Sequence, residues 1–269
     1  SGAGTDQVII GHDAGYYARN NDVVIIGESA GYYATGSNNV FIGKEAGKGG
    51  QTTAPFSSGE NNVAIGYKAF DAFTLATRCV VIGVQAGSAI TTGYSNVIMG
   101  YQAGLSLNTG QDNVLLGTYA GYQLTDGTKN VLIGSSAGEN LSTNTNFNVM
   151  IGFQAGEHAD GASTPATNNS YVGTQAGRYV DDGQNNVAIG YHALYSNSSE
   201  GNDASENVAI GKESMQYITD GDRNTAVGTL SLNIAGGNYA TAVGYQAMEK
   251  NTANYNSALG YKALYGNAS

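Results

Sequence analysis

Residues 38–47 read NNVFIGKEAG and residues 185–197 read NNVAIGYHALYSN, and the same pattern returns along the whole 269-residue chain. A glycine anchors each copy: Gly11, Gly27, Gly43, Gly66, Gly83, Gly100, Gly117, Gly134, Gly152, Gly173, Gly190, Gly211, Gly228, Gly244 and Gly260. Successive anchors are 16 to 18 residues apart, except for 23 before Gly66 and 21 before Gly173 and Gly211. Counted from the anchor, Asn stands at −4 in eleven of the fifteen copies and Val, Ser or Thr at −3. An aliphatic residue stands at −1 and Ala at +3 in thirteen copies. Repetition at such a period means stacked supersecondary units, because one short unit cannot bury its own apolar side.

The unit is a strand followed by bends. Apolar residues at −3 and −1 have the two-residue period of a strand. The residue between them is apolar as well (Ile9, Ile25, Phe41, Ile98, Leu115, Met150), so both strand faces need cover. Runs of four or five residues ending at Gly fit short strands better than helices, which Gly disfavours. Stacked at ~4.8 Å, fifteen coils would form a rod of roughly 70 Å. The expected fold is all-β, a parallel β-roll or β-helix solenoid of about fifteen coils over residues 6–265. Residues 1–5 read as an N-terminal extension or cloning remnant, and 266–269 as a C-terminal end or processing boundary.

Composition excludes several function classes. A net charge of −10 removes the attraction to phosphate that supports non-specific nucleic-acid binding. No apolar run is long enough for a spanning helix, so membrane insertion is not expected. The single cysteine, Cys79, has no intrachain disulfide partner. It replaces the turn Asn and reads as a half-exposed thiol.

The strings NNVAIGYHALYSN, NNVFIGKEAG, NTAVGTLSL (residues 224–232) and NSALGYKALYGN (residues 256–267) resemble the head repeats of trimeric autotransporter adhesins. They resemble the shaft repeats of phage tail-fibre proteins still more closely. The resemblance implies a left-handed β-roll in each chain and a side-by-side parallel homotrimer. It implies a structural attachment fibre that presents a surface to host-cell glycan or protein, on a virion tail fibre or otherwise at a cell surface. A bacterial adhesin head is the alternative. Some tail-fibre proteins end in a self-cleaving chaperone, and nothing up to Ser269 matches one.

Catalysis is not expected. His12 and His192 lie ten coils apart, roughly 48 Å, and Cys79 and His158 four coils apart, ~19 Å. A fibre-borne glycan-degrading enzyme would need carboxylates paired across chains. Asp181-Asp182 and Asp220-Gly221-Asp222 invite a calcium reading, yet the calcium-roll nonapeptide is missing, so no metal or cofactor is assigned. Recognition is expected instead from tyrosine, with 19 copies and no Trp. Tyr67, Tyr101, Tyr191, Tyr245 and Tyr261 recur at +1, and Tyr16, Tyr32, Tyr122, Tyr195 and Tyr265 at +5, which stacking would align into columns of rigid amphipathic rings. The longer spacings mark polar loops (49–60, 157–167, 196–206), where variation leaves the coil intact. Candidate receptor-contacting residues are Thr52, Thr53, Phe56, Tyr67, Tyr101, Tyr191, Tyr195 and Asn197.

Size compensation runs through the repeat. Nine copies pair a large residue at −2 with Gly at +4, as in Phe41 with Gly47 and Met150 with Gly156. Six reverse the pair: Ala64 with Phe70, Ala188 with Leu194, Ala209 with Met215, Ala226 with Leu232, Ala242 with Met248 and Ala258 with Leu264. Close packing then predicts that both positions fill one space, expected to face the trimer axis.

Overall fold

A computed structural model describes residues 5–19, 21–51, 53–54, 56–159, 165–196, 203–219 and 221–266. The chain is an all-β parallel solenoid of about fourteen turns, with no helix among the described residues. It divides into two compact units, 1–130 and 131–269. In the first unit β1 (Gln7–Ile10), β2 (Val23–Ile26), β3 (Val40–Ile42), β4 (Val63–Ile65), β5 (Val80–Ile82), β6 (Val97–Met99) and β7 (Val114–Leu116) pair in parallel, each with the next.

The second unit repeats this with β8 (Val131–Ile133), β9 (Val149–Ile151), β10 (Ser170–Val172), β11 (Val187–Ile189) and β12 (Val208–Ile210). Later in the chain the main ladder alternates with a second, smaller sheet. β14 (Thr225–Val227), β16 (Thr241–Val243) and β18 (Ser257–Leu259) continue the main ladder. β13 (Tyr217–Ile218), β15 (Ile234–Ala235) and β17 (Lys250–Asn251) form the small sheet.

Register follows the repeat. Val40 pairs with Val63, Phe41 with Ala64 and Ile42 with Ile65, although 23 residues separate their anchors. The extra residues are looped out of the coil, and the strand keeps its faces.

Bends come from positive-φ positions at −5, at the anchor, at +2 and at +4. In one coil these are Arg78 (φ 58°), Gly83 (138°), Gln85 (54°) and Gly87 (50°). At the anchor the backbone of the next coil also leaves no room for a side chain. A β-carbon on Gly100 would lie 2.3 Å from the Gly117 carbonyl oxygen of the next coil. The other positions lie in the left-handed helical region, which non-glycine residues enter at roughly 1–2 kcal/mol.

The strand's inside and outside are the reverse of the expected arrangement. The −2 residue points into the coil, and Ile25, Phe41, Ala64, Val81, Ile98 and Leu115 are all inaccessible in a single chain. The shared −2/+4 space therefore exists but lies inside the coil rather than at an interchain axis. A β-carbon on Gly47 would sit 2.3 Å from the Phe41 ring, and one on Gly177 2.4 Å from the Tyr171 ring. In the reversed coils Phe70, Leu194, Met215, Leu232 and Met248 fill the same space from +4, and all are buried. A third residue, at +7, shares the space: a β-carbon on Gly138 would lie 2.7 Å from Leu141, and one on Gly87 2.9 Å from Ile90.

The −4 asparagines read as turn residues from sequence, but all except Asn256 are buried, and they form a hydrogen-bond ladder. Asn113 Nδ2 donates to the Gly127 carbonyl (2.8 Å) and its Oδ1 accepts the Asn130 backbone N–H (3.0 Å). In the second unit Asn169, Asn186, Asn207 and Asn224 repeat these bonds from coil to coil. An amide at −4 thus satisfies backbone groups that the sharp bends leave without β-ladder partners.

Candidate functional site: the outer faces of the coil

With −2 inside, −3 and −1 point outward. The first unit carries seven such pairs, including Val40/Ile42, Val63/Ile65, Val80/Ile82, Val97/Met99 and Val114/Leu116. Parallel zero-offset pairing lines them up as two aliphatic rows, partly exposed: Val97 is 37% and Met99 44% accessible. The second unit continues this chemistry with Val131/Ile133, Val149/Ile151 and Val187/Ile189, Ile189 being 42% accessible. Thr225, Thr241 and Ser257 make the −3 row polar in its last coils.

Beyond the anchor bend lie the tyrosines. The +1 residues Tyr67, Tyr101, Tyr191, Tyr245 and Tyr261 are all exposed. They form no unbroken column, since Val84 separates Tyr67 from Tyr101 in the +1 row. Stacks occur where two successive coils carry the ring: Tyr245 on Tyr261 (5.6 Å, 9°) and, at +5, Tyr16 on Tyr32 (5.1 Å, 7°). Tyr101 instead meets Tyr119 edge-on (5.5 Å), and the Lys68 ammonium lies 5.6 Å from the Tyr67 ring centre.

Two clusters gather the candidate residues. In the first unit the long loop returns Phe56 against Tyr17 (4.2 Å, 27°), and Tyr33 stacks on both (5.6 and 6.0 Å). Those rings cover one another, so Phe56 fastens the loop to the coil. Thr53 is exposed, and Thr52 and Asn197 lie outside the described residues.

In the second unit Tyr191 stacks on His192 (3.8 Å, 14°), which stacks on Tyr195 (4.4 Å, 21°). Tyr195 is edge-on to Tyr179 (5.4 Å), and Tyr179 stacks on His158 (4.9 Å). The +6 rings Tyr17, Tyr33, Tyr179 and His158 had no part in the sequence expectation, which followed +1 and +5. Only coil stacking reveals that +6 of one coil meets +5 of the next.

A side-chain hydrogen-bond row runs under the second cluster. Gln154 Nε2 donates to Glu157 (2.8 Å), Gln175 Nε2 donates to Gln154 Oε1 (2.7 Å), and His192 Nε2–H donates to Gln175 Oε1. Gln216 Nε2 donates to His192 Nδ1 (3.2 Å). An amide oxygen only accepts and an amide nitrogen only donates, so the row holds His192 neutral with its proton on Nε2. Arg178 Nε donates to the Glu157 carboxylate, and its guanidinium lies 4.8 Å from the Tyr179 ring centre.

Cys79 is buried, not half-exposed. Its N–H donates to Asn62 Oδ1 (3.0 Å), its sulfur occupies the place of the missing asparagine amide, and burial pushes the thiol up from its ordinary value. No three His, Cys, Asp or Glu side chains converge as a metal site among the described residues, and Asp220 lies outside them. No family model matches this chain, and no curated protein or solved structure matches it either.

Proposed function

We propose that this chain is a non-catalytic attachment-fibre segment, working as a parallel homotrimer that presents its outer faces to a host-cell glycan or protein. Its setting is then a virion tail fibre, or otherwise a cell surface. The outward aliphatic rows at −3 and −1 carry this reading. Soluble monomers rarely expose contiguous apolar surface of this extent, and such patches mark association sites. The surface that matches a row repeating once per coil is another row with the same repeat, so further copies of this chain are the natural occupants. Three copies, in parallel, is what the resemblance to tail-fibre shaft repeats implies.

Light scattering at micromolar concentration tests the assembly. The expected mass is three times the 27.6 kDa chain. Replacing Val97 and Met99 together by Asp should lower it toward one chain, because paired rows would then bury uncompensated charge. A one-chain mass for the unaltered protein overturns the proposal.

A further inference from the structure

We infer that the second-unit face formed by Phe153, Gln154, Gln175, Tyr191, His192 and Tyr195 binds an uncharged oligosaccharide. The inference deepens the attachment reading and rests on it. Phe153 and Tyr191 occupy +1 positions two coils apart, ~10 Å at the strand spacing, and are 50% and 47% accessible. A planar ring with a negative face attracts the C–H face of a sugar ring. One coil step is comparable with the length of one pyranose, so a short chain lying along the coils would meet both rings.

Alongside those rings, at +2 of the same two coils and of the coil between them, runs the row Gln154–Gln175–His192. In the hydrogen bonds given above each glutamine amide uses one N–H and one oxygen lone pair, out of two of each. Half-buried amides with spare donors and acceptors on adjacent coils match adjacent sugar hydroxyls. The bonds already made fix the orientation of those groups before a ligand arrives, which lowers the ordering cost of binding. The stack Tyr191–His192–Tyr195 likewise holds its rings in place.

Charge selects the ligand. Arg178 donates from Nε to Glu157 and lies over Tyr179, so its charge is already met by a carboxylate rather than offered alone to an acidic sugar. The chain's net charge of −10 further opposes an anion. Two separated rings with a row of amides beside them suit a saccharide better than a protein, whose docking uses a contiguous, fully desolvated apolar centre.

The test is a printed array of neutral oligosaccharides of two to six sugars beside carboxylated and sulfated counterparts. It is probed with the full chain, with Phe153→Ala, with Tyr191→Ala, and with Tyr255→Ala, an exposed ring outside this face, as the control. Light scattering checks that each variant keeps its assembly. The expected result is binding to neutral glycans, weakened at least tenfold by Phe153→Ala and by Tyr191→Ala and unchanged by Tyr255→Ala. Binding to charged glycans alone, no binding to neutral glycans, or equal binding by all variants overturns the inference. Glycan binding that both variants retain removes this face and leaves the attachment reading standing. A one-chain mass for the unaltered protein removes the reading itself.

Discussion

The coils between Val80 and Leu124 in the first unit and those between Val208 and Asn251 in the second enclose similar spaces with different residues. In the first group Val81, Ile98 and Leu115 project from the strand, and Gly87, Gly104 and Gly121 make room for them at +4. Glycine then lets the chain fold back: the +7 N–H donates to the +4 carbonyl (Ile90 to Gly87 3.2 Å, Leu107 to Gly104 3.1 Å). The +7 side chain seals the corner. In the second group Ala209, Ala226 and Ala242 leave the strand side empty, and Met215, Leu232 and Met248 fill it from +4. There the chain runs on into β13, β15 and β17, with Tyr217 N–H donating to Asn233 (2.8 Å) and Ile234 N–H to Glu249 (2.9 Å). The second group accepts left-handed backbone at a large residue, Met215 at φ 50° and Leu232 at φ 46°, and gains a small sheet. Corner geometry thus follows from which side supplies the bulk, while anchor and asparagine rows are common to both groups.

The largest effect is expected where the groups agree. Gly100→Ala and Gly228→Ala should each cost more than about 4 kcal/mol, since the new β-carbon meets backbone of the next coil. Those contacts would be 2.3 and 2.5 Å. Gly260→Ala, with nothing within 4 Å, should cost only the conformational penalty, roughly 1–3 kcal/mol. Denaturant unfolding checks all three, and equal losses would show that strain rather than coil contact sets the anchor.

Next comes the asparagine row. Asn113→Leu should destabilise by about 2–4 kcal/mol, because it strands the Asn130 N–H and the Gly127 carbonyl together. Asn207→Leu should do the same in the second group, where Asn207 bridges the Gly221 carbonyl and the Asn224 N–H. A loss confined to one unit would break the claim that the row is common to both.

Cys79→Asn restores the amide where the row is interrupted and should stabilise by about 0.5–1.5 kcal/mol, read as a higher unfolding midpoint. A lower midpoint would mean that the sulfur is the better fit there.

The smallest effect is acid sensitivity at His192. Burial first, with Arg178 and Lys212 adding to it against the opposing pull of Glu213, holds its pKa below 6.5. The folded state therefore resists the proton. The stability tied to neutral His192 is present in full above pH 6.5 and declines as pH falls below 6.5 through the lowered folded value. His192→Gln, which can keep an amide in the row, should flatten unfolding midpoints measured between pH 5 and 7. An unchanged slope would place the acid response elsewhere.

The period of the chain was enough to locate every anchor strand, the register across the 23-residue spacing, and the −2/+4 exchange. It did not reveal which strand face is inside. Residues −3, −2 and −1 are all apolar, so alternation could not choose between Phe41 and the pair Val40/Ile42. Position +7 escaped because Ile90, Ala159 and Asn251 share no composition, and only the bend brings them to one corner. Burial of Asn113 escaped because a turn asparagine in water looks the same as one bridging two coils. At the outer face Tyr191 and Tyr195 were legible from spacing. Tyr179, Arg178 and the glutamine row were not, because their neighbours lie in other coils.

The central claim, that each coil fills one interior space with its own side chains and leaves −3 and −1 outside, is tested most directly by a double-mutant cycle at Ala188 and Leu194. Ala188→Ile alone should overpack the coil by ~1–3 kcal/mol. Leu194→Gly alone should cost ~2–5 kcal/mol for the cavity, less about 1 kcal/mol of relieved left-handed strain at φ 53°. Together they rebuild a glycine corner, so the double variant should recover more than about 1 kcal/mol relative to the sum. Strictly additive losses would contradict the account.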